Sequence, residues 1–124
     1  MEDMRPFRAR LLETNITMAS SEGCQFEDII RGTLLVGFVS YRIDVRRIWM
    51  PQLVVYNGYR GQGIGTDLLN YVIKRGENTG KLFIDTIVHE EAALNWLKQN
   101  KFVASHIEKN YFYTRDGIYF RRML

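Results

Sequence analysis

An apolar, strand-like run that breaks into alternating glycines and then into an amphipathic helix leaves few folds open to a chain of this size. The junction is Tyr59-Arg60-Gly61-Gln62-Gly63-Ile64-Gly65-Thr66. Glycines at every second position leave main-chain N–H groups uncovered by side chains. The helix that follows adds the positive end of its dipole, so the segment suits a phosphate or pyrophosphate. The motif is not a Walker A loop, because no Lys-Ser/Thr follows the glycines. Its G-x-G-x-G spacing is not the dinucleotide G-x-G-x-x-G, and no βαβ unit begins the chain. No kinase-type catalytic loop or magnesium motif follows.

The 124 residues, 46% hydrophobic, suit one domain over 1–124 with a packed core. No apolar run approaches the roughly 20 residues of a membrane helix, and the charged N-terminus does not read as a signal peptide. The single cysteine, Cys24, excludes an internal disulfide, and a reducing, cytoplasmic setting is expected. His89 and His106 lack ligand spacing with Cys24 or each other, so no metal site is expected. A net charge of +3, with the basic residues scattered, does not point to nucleic acid.

Along the chain, weak alternation predicts a strand in the first fifteen residues. Further strands are expected at Gln25–Ile30, Thr33–Ile43 and Ile48–Tyr56, the last with an irregular or edge start at Pro51. Ile64, Leu68, Leu69, Val72 and Ile73 recur at helical spacing, and Lys74-Arg75-Gly76 reads as the end of that helix. Lys81–Val88 reads as a strand with Asp85 on the face opposite Leu82 and Ile84. Glu90–Gln99 reads as a second helix with Ala93, Leu94 and Leu97 inward. A long strand from Phe102 to Tyr113 then turns at Asp116-Gly117 into Ile118–Leu124. The fold class is α/β (α+β): a mixed, mostly antiparallel sheet with one parallel pair, splayed to form a cleft.

The loop Arg60-Gly61-Gln62-Gly63-Ile64-Gly65 resembles the (Arg/Gln)-x-x-Gly-x-(Gly/Ala) loop of the GNAT superfamily of acetyl-CoA-dependent N-acetyltransferases. The resemblance runs from about Thr33 to Leu124 and keeps the family's order of elements, with a shortened N-terminal helical region. It implies that Arg60, Gly61, Gln62, Gly63, Ile64, Gly65 and Thr66 wrap the coenzyme A pyrophosphate. It also implies that Val55 bonds the pantetheine chain through its backbone, with Val54 beside it. Glu90 to Phe102 resembles the family's Asn-x-x-Ala-(Ile/Leu)-x-(Phe/Tyr)-Tyr-x-x-x-Gly-Phe segment. Here Glu90 replaces the Asn that touches pantetheine, Leu97 the Tyr that protonates the leaving thiolate, and Lys101 the Gly. The run from Glu108 to Gly117 is similar to the (Lys/Arg)-Asn-Tyr-Tyr segment of protein N-terminal (ribosomal-protein-alanine type) acetyltransferases.

Acetyl transfer to an amine needs a neutral amine, an oxyanion donor and a route for the thiolate. Asp85 is the candidate base, because Asp is disfavoured in strands and aligns with a position where relatives place Glu or His. A strand amide near Val55 is the candidate oxyanion donor. Tyr111 or Tyr113 is the candidate acid in place of Leu97, unless the thiol, with a pKa of about 8.5, leaves unaided. Tyr59 matches a position that holds substrate or water in some N-terminal acetyltransferases, with packing of the loop as its simpler role. Cys24 has no visible partner base and is not expected to be a nucleophile. Trp49 and Trp96 are expected in the core or the cleft wall. The acceptor is a primary amine, of a protein N-terminus, a lysine or a small molecule. Its binding side is open or completed by a second copy in a homodimer. The rival class is a non-catalytic acyl-CoA-binding or sensing module, for which Leu97 and Glu90 would speak.

Overall fold

The computed structural model describes residues 22–124, so the strand expected in the first fifteen residues lies outside the described part. β1 (Gln25–Arg31), β2 (Leu34–Ile43) and β3 (Arg47–Val55) form an antiparallel meander. A single 3₁₀ turn, Asn57–Tyr59, leads through the glycine loop into α1 (Ile64–Asn78). β4 (Phe83–Val88), α2 (Glu91–Gln99), β5 (Val103–Phe112) and β6 (Arg115–Met123) complete the chain. The order in the sheet is β1-β2-β3-β4-β6-β5, and β3 with β4 is the parallel pair.

Among the described residues, α1 and α2 cover one face of the sheet. Ile64, Leu68, Leu69 and Val72 of α1 are buried against Val39, Tyr41, Ile48, Met50, Ile84 and Phe120. These are the helical residues at the spacing seen in the sequence, because a helix buries one stripe per 3.6-residue turn. α2 adds Leu97, with Leu94 and Trp96 at its margin. The opposite face carries a smaller apolar patch in which Leu35 and Phe38 meet Phe26, Val54 and Tyr56.

The irregular start expected at Pro51 is a bulge: Pro51 lies within β3 just past its last pair with β4, and Met50 and Pro51 together oppose Tyr41 between the pairs Ser40↔Gln52 and Arg42↔Trp49. A bulge leaves one residue outside the ladder, so a missing N–H costs nothing there. Two expectations are corrected. α1 does not stop at Lys74-Arg75-Gly76 but continues to Asn78. Gly76 is buried within it, where a Cβ would come 2.4 Å from Leu124 Cδ1. The last hairpin turns at Tyr113-Thr114, closed by Phe112↔Arg115, and not at Asp116-Gly117. Asp116 Oδ1 instead accepts a bond from the Asn110 amide at 2.9 Å across a bulge. A Cβ on buried Gly117 would meet Ile87 at 2.6 Å.

α1 lies close on β2 because Gly37 has no side chain: a Cβ there would come 2.9 Å from Ile64 Cγ2 and 3.1 Å from the Val54 carbonyl. Gly37→Ala must push the helix start off the sheet. It is expected to cost about 1–3 kcal/mol, the usual range for overpacking, and to lower the melting temperature in a thermal unfolding experiment.

Candidate active site

The ladder between β3 and β4 is short. Arg47, Trp49 and the intervening Ile48 pair with Phe83 to Asp85, and beyond that point the strands separate. Residues 50–55 of β3 and 86–88 of β4 therefore form the arms of a V that opens toward the start of α1. At the open end Leu53 and Val55 point toward Gly65, where a Cβ would lie 3.7 Å from Val55 Cγ2 and 3.5 Å from the Trp96 ring.

The glycine loop lies across this opening. Gly61 and Gly63 have φ of 78° and 81°, a region that L side chains rarely adopt, and nothing lies within 4 Å of the place a Cβ would take on either. The ladder of α1 begins with the Asp67 amide, which donates to the Gly63 carbonyl at 2.9 Å. Among the described residues, the amides of Gly61, Gln62, Gly63, Ile64, Gly65 and Thr66 donate to no backbone carbonyl, and Gly63 offers no side-chain cap. Free donors at a helix start, unobstructed by side chains, are the physical requirement for a bound phosphate. Arg60 extends beside them, its Nε donating to the Val55 carbonyl at 3.3 Å.

The other expected residues divide. Tyr59 is half-buried and packs on the main core, with its ring centroid 6.3 Å from that of Tyr56. Val54 points to the face away from the helices. Glu90 is the N-cap position of α2, with its carboxylate 3.9 Å from His89. Leu97 is buried in the core, where its carbonyl accepts from Phe102. Tyr111 makes an edge contact with Phe112, whose ring lies 4.5 Å from His89 at the end of β4. This brings the β5–β6 hairpin beside the V. Burial pushes the Cys24 thiol up to about 11, so it stays protonated at neutral pH and makes a poor nucleophile.

Asp85 stands at the apex of the V, on the face away from the helices, and is 0% exposed. Arg121 grips it with Nε at 2.8 Å from Oδ1 and Nη2 at 3.1 Å from Oδ2. Arg47 Nη1 reaches Oδ2 at 2.9 Å, and the Tyr119 hydroxyl donates to the same oxygen at 3.0 Å. Arg47 also bonds the Tyr119 hydroxyl, and its Nε bonds Asp44, which Arg42 holds in turn. Burial alone would raise the carboxyl's pKa, but the combined bonds from Arg121, Arg47 and Tyr119 hold it below the usual range. With both oxygens occupied and the anion stabilised, Asp85 does not suit the proton-accepting part expected of it. It acts as a clamp joining β3, β4 and β6. Sequence reasoning missed Arg47, Tyr119 and Arg121. The available signal was the alternation in β6 that puts Tyr119 and Arg121 on one face with an acidic strand residue to pair.

Among the described residues there is no cluster of three or more metal-binding side chains and no helix long and apolar enough to cross a membrane. The sequence profile of the Acetyltransferase (GNAT) family matches residues 3–102. The chain belongs to this family. Its fold is similar to that of the IAA acetyltransferase from Bacillus cereus, with 15% identity, a TM-score of 0.80, and coverage of 100% of this chain and 96% of that one. It is also similar to a GNAT family acetyltransferase from Elizabethkingia anophelis with acetyl-CoA bound, at 18% identity, a TM-score of 0.76 and coverage of 92% and 88%. A third similar structure is the ribosomal-protein-S18-alanine N-acetyltransferase from Escherichia coli, at 20% identity, a TM-score of 0.73 and coverage of 89% and 76%. A sequence search of curated proteins finds no significant match.

Asp85→Asn removes the charge that holds two guanidinium groups together. It is expected to destabilise the protein at pH 7 by about 2 kcal/mol, below the full buried-pair range because both arginines reach solvent. Because the folded pKa is depressed, the carboxylate's contribution is complete above the ordinary Asp value of about 3.9 and fades as pH falls through the lower folded value. Urea unfolding of native and variant protein should therefore give curves that converge as the pH is taken toward 3.

Proposed function

We propose that this protein transfers an acetyl group from acetyl-CoA directly to a primary amine, and that the preferred amine is the free N-terminus of a peptide or protein. The observation that carries the reading is the set of unpartnered amides from Gly61 to Thr66 at the open end of the V. These amides and Arg60 would hold the pyrophosphate, and the separated edge of β3 at Val55 would pair with the pantetheine chain. The coenzyme supplies an activated acetyl group as a thioester.

The remaining parts follow from this chain's own residues. Asp85 is committed to its clamp, so no carboxylate described at the apex is free to deprotonate an ammonium. An acceptor with a low intrinsic pKa then has the advantage: an α-amine at about 7.7–8.0 is partly neutral near pH 7.5, whereas a lysine at about 10.4 is not. Tyr111 is the phenol assigned to the leaving thiolate, on the strength of its place beside Phe112 and the end of β4.

The hairpin tip supports a peptide acceptor. Tyr113 has φ of 59° at the first position of a two-residue turn, yet the residue is 62% exposed. The equivalent place in the β1–β2 hairpin, between paired Arg31 and Leu34, is held by Gly32 at φ of 62°. A bulky residue in this conformation costs about 1 kcal/mol or more. Little packing in the free protein offsets that cost, which fits a side chain kept to touch an acceptor.

The reading is tested by the melting shift with acetyl-CoA and by amine-dependent thiol release. Gly63→Val should abolish most of the shift, while the native protein shows both effects. With a peptide acceptor, the rate should rise with pH to a plateau whose apparent pKa is near 8, following the acceptor amine. Tyr113→Gly should melt higher than native while the KM for the peptide rises several-fold and the acetyl-CoA shift stays unchanged. A native protein with no acetyl-CoA shift would reject the proposal.

A further inference from the structure

Trp96 spans the mouth of the V on the helix side. It comes from α2, which follows the β4 arm, and its ring reaches the first turn of α1 over the β3 arm. The place a Cβ would take on Gly65 lies 3.5 Å from Trp96 Cζ2, 3.7 Å from Val55 Cγ2 and 3.8 Å from Leu53 Cδ2. Cζ2 shares a bonded neighbour with Nε1, so the indole N–H leaves the ring on the edge that meets Gly65. The Trp96 carbonyl accepts from Asn100, but the indole N–H makes no hydrogen bond among the described residues. Nor is it sealed in: the buried, unpartnered side-chain atoms are Ser40 Oγ, Gln52 Oε1 and Arg75 Nε, and Trp96 is half-buried. A tryptophan with its body packed and its N–H open to the outside is placed to bond a group that the protein itself does not supply.

An indole N–H only donates, so its partner must be an acceptor. The main-chain amides from Gly61 to Thr66 are ample for a pyrophosphate. The edge of β3 at Leu53 and Val55 is where the pantetheine chain is assigned above, and the Trp96 N–H stands on that side of Gly65. Pantetheine carries amide carbonyls, which need a donor once they leave water. Glu90 cannot give one: a carboxylate only accepts, whereas the asparagine the family carries at this place can donate. Glu90 stands at the N-cap of the same helix as Trp96, with its carboxylate 3.9 Å from His89.

We propose that Trp96 Nε1 donates to an amide carbonyl of the pantetheine arm, supplying from within α2 the donor that Glu90 lacks. The inference rests on the transfer reading above and adds a residue of this chain's own to the coenzyme site. Trp96 is a positioning residue: it holds the arm that carries the thioester and takes no part in moving a proton.

The test uses the whole protein with acetyl-CoA and with 3′-phosphoadenosine 5′-diphosphate, a nucleotide that keeps the pyrophosphate and lacks the pantetheine. Replacing Trp96 by benzothienylalanine preserves the shape of the ring and removes only the N–H. Titration calorimetry should then show acetyl-CoA bound about fivefold more weakly, the effect of one hydrogen bond, with the nucleotide affinity unchanged. Trp96→Phe should weaken acetyl-CoA at least as much. In 15N-labelled native protein, the indole resonance missing from Trp96→Phe should exchange its hydrogen more slowly with acetyl-CoA bound than in the free protein or with the nucleotide. Native affinity for acetyl-CoA in the benzothienylalanine protein, with its melting temperature unchanged, overturns this inference alone. So does an equal loss for both ligands, which would put the N–H on the pyrophosphate. If that protein does not fold, the exchange measurement on native protein decides, and an indole hydrogen no slower with acetyl-CoA overturns the inference. A native protein that does not bind acetyl-CoA overturns the transfer reading and this inference together.

Discussion

The clamp on Asp85 fixes the point from which the rest of the site is measured. A parallel pair only three residues long is a weak joint between two strands, and here it is the middle of the sheet. Arg47 from β3 and Arg121 from β6 converge on a carboxylate of β4, so three strands are tied across the plane just before two of them part. The stacked rings of Trp49 and Tyr119 lie over the same joint. Without such a tie the V would have no fixed apex. An ion pair at this depth is a modest source of stability, but it is a good source of position.

The open end of the V depends on a different economy, that of missing side chains. Gly61 and Gly63 take left-handed backbone angles and leave space around them, and the helix start behind them has no cap of its own. A helix that leaves its first amides unsatisfied carries an unmet electrostatic demand, and an anion meets it best. The apex is therefore occupied by the protein's own charges, while the mouth presents amides that meet no backbone acceptor among the described residues. Between the two, β3 offers a free edge.

Much of this was legible in the chain. The glycine alternation marked the loop, the 3.6-residue spacing from Ile64 marked α1, and β-branched alternation marked the strands, since each signal is local. The loop residues Arg60 to Thr66 were expected together and lie together. Boundaries fared less well where tertiary contact overrode propensity. Gly76 reads as a helix end but stays helical because Leu124 packs where a side chain would stand, and Asp116-Gly117 reads as a turn but lies in β6 opposite a bulge. Asp85 was found as an unusual strand acid, but its partners lie 36 and 38 residues away in sequence, so its environment could not be read locally.

The sequence by itself determined which segment leaves its main-chain amides bare and how the elements follow one another, because backbone freedom and periodicity are properties of neighbouring residues. Only the tertiary structure decided what each polar residue is free to do. It turned Asp85 from a candidate base into a tie, left Ser40 and Gln52 unpartnered, and put a tyrosine where a glycine would relax the turn. Those outcomes depend on register between strands distant in sequence, and a side chain's availability is set by what faces it across that register.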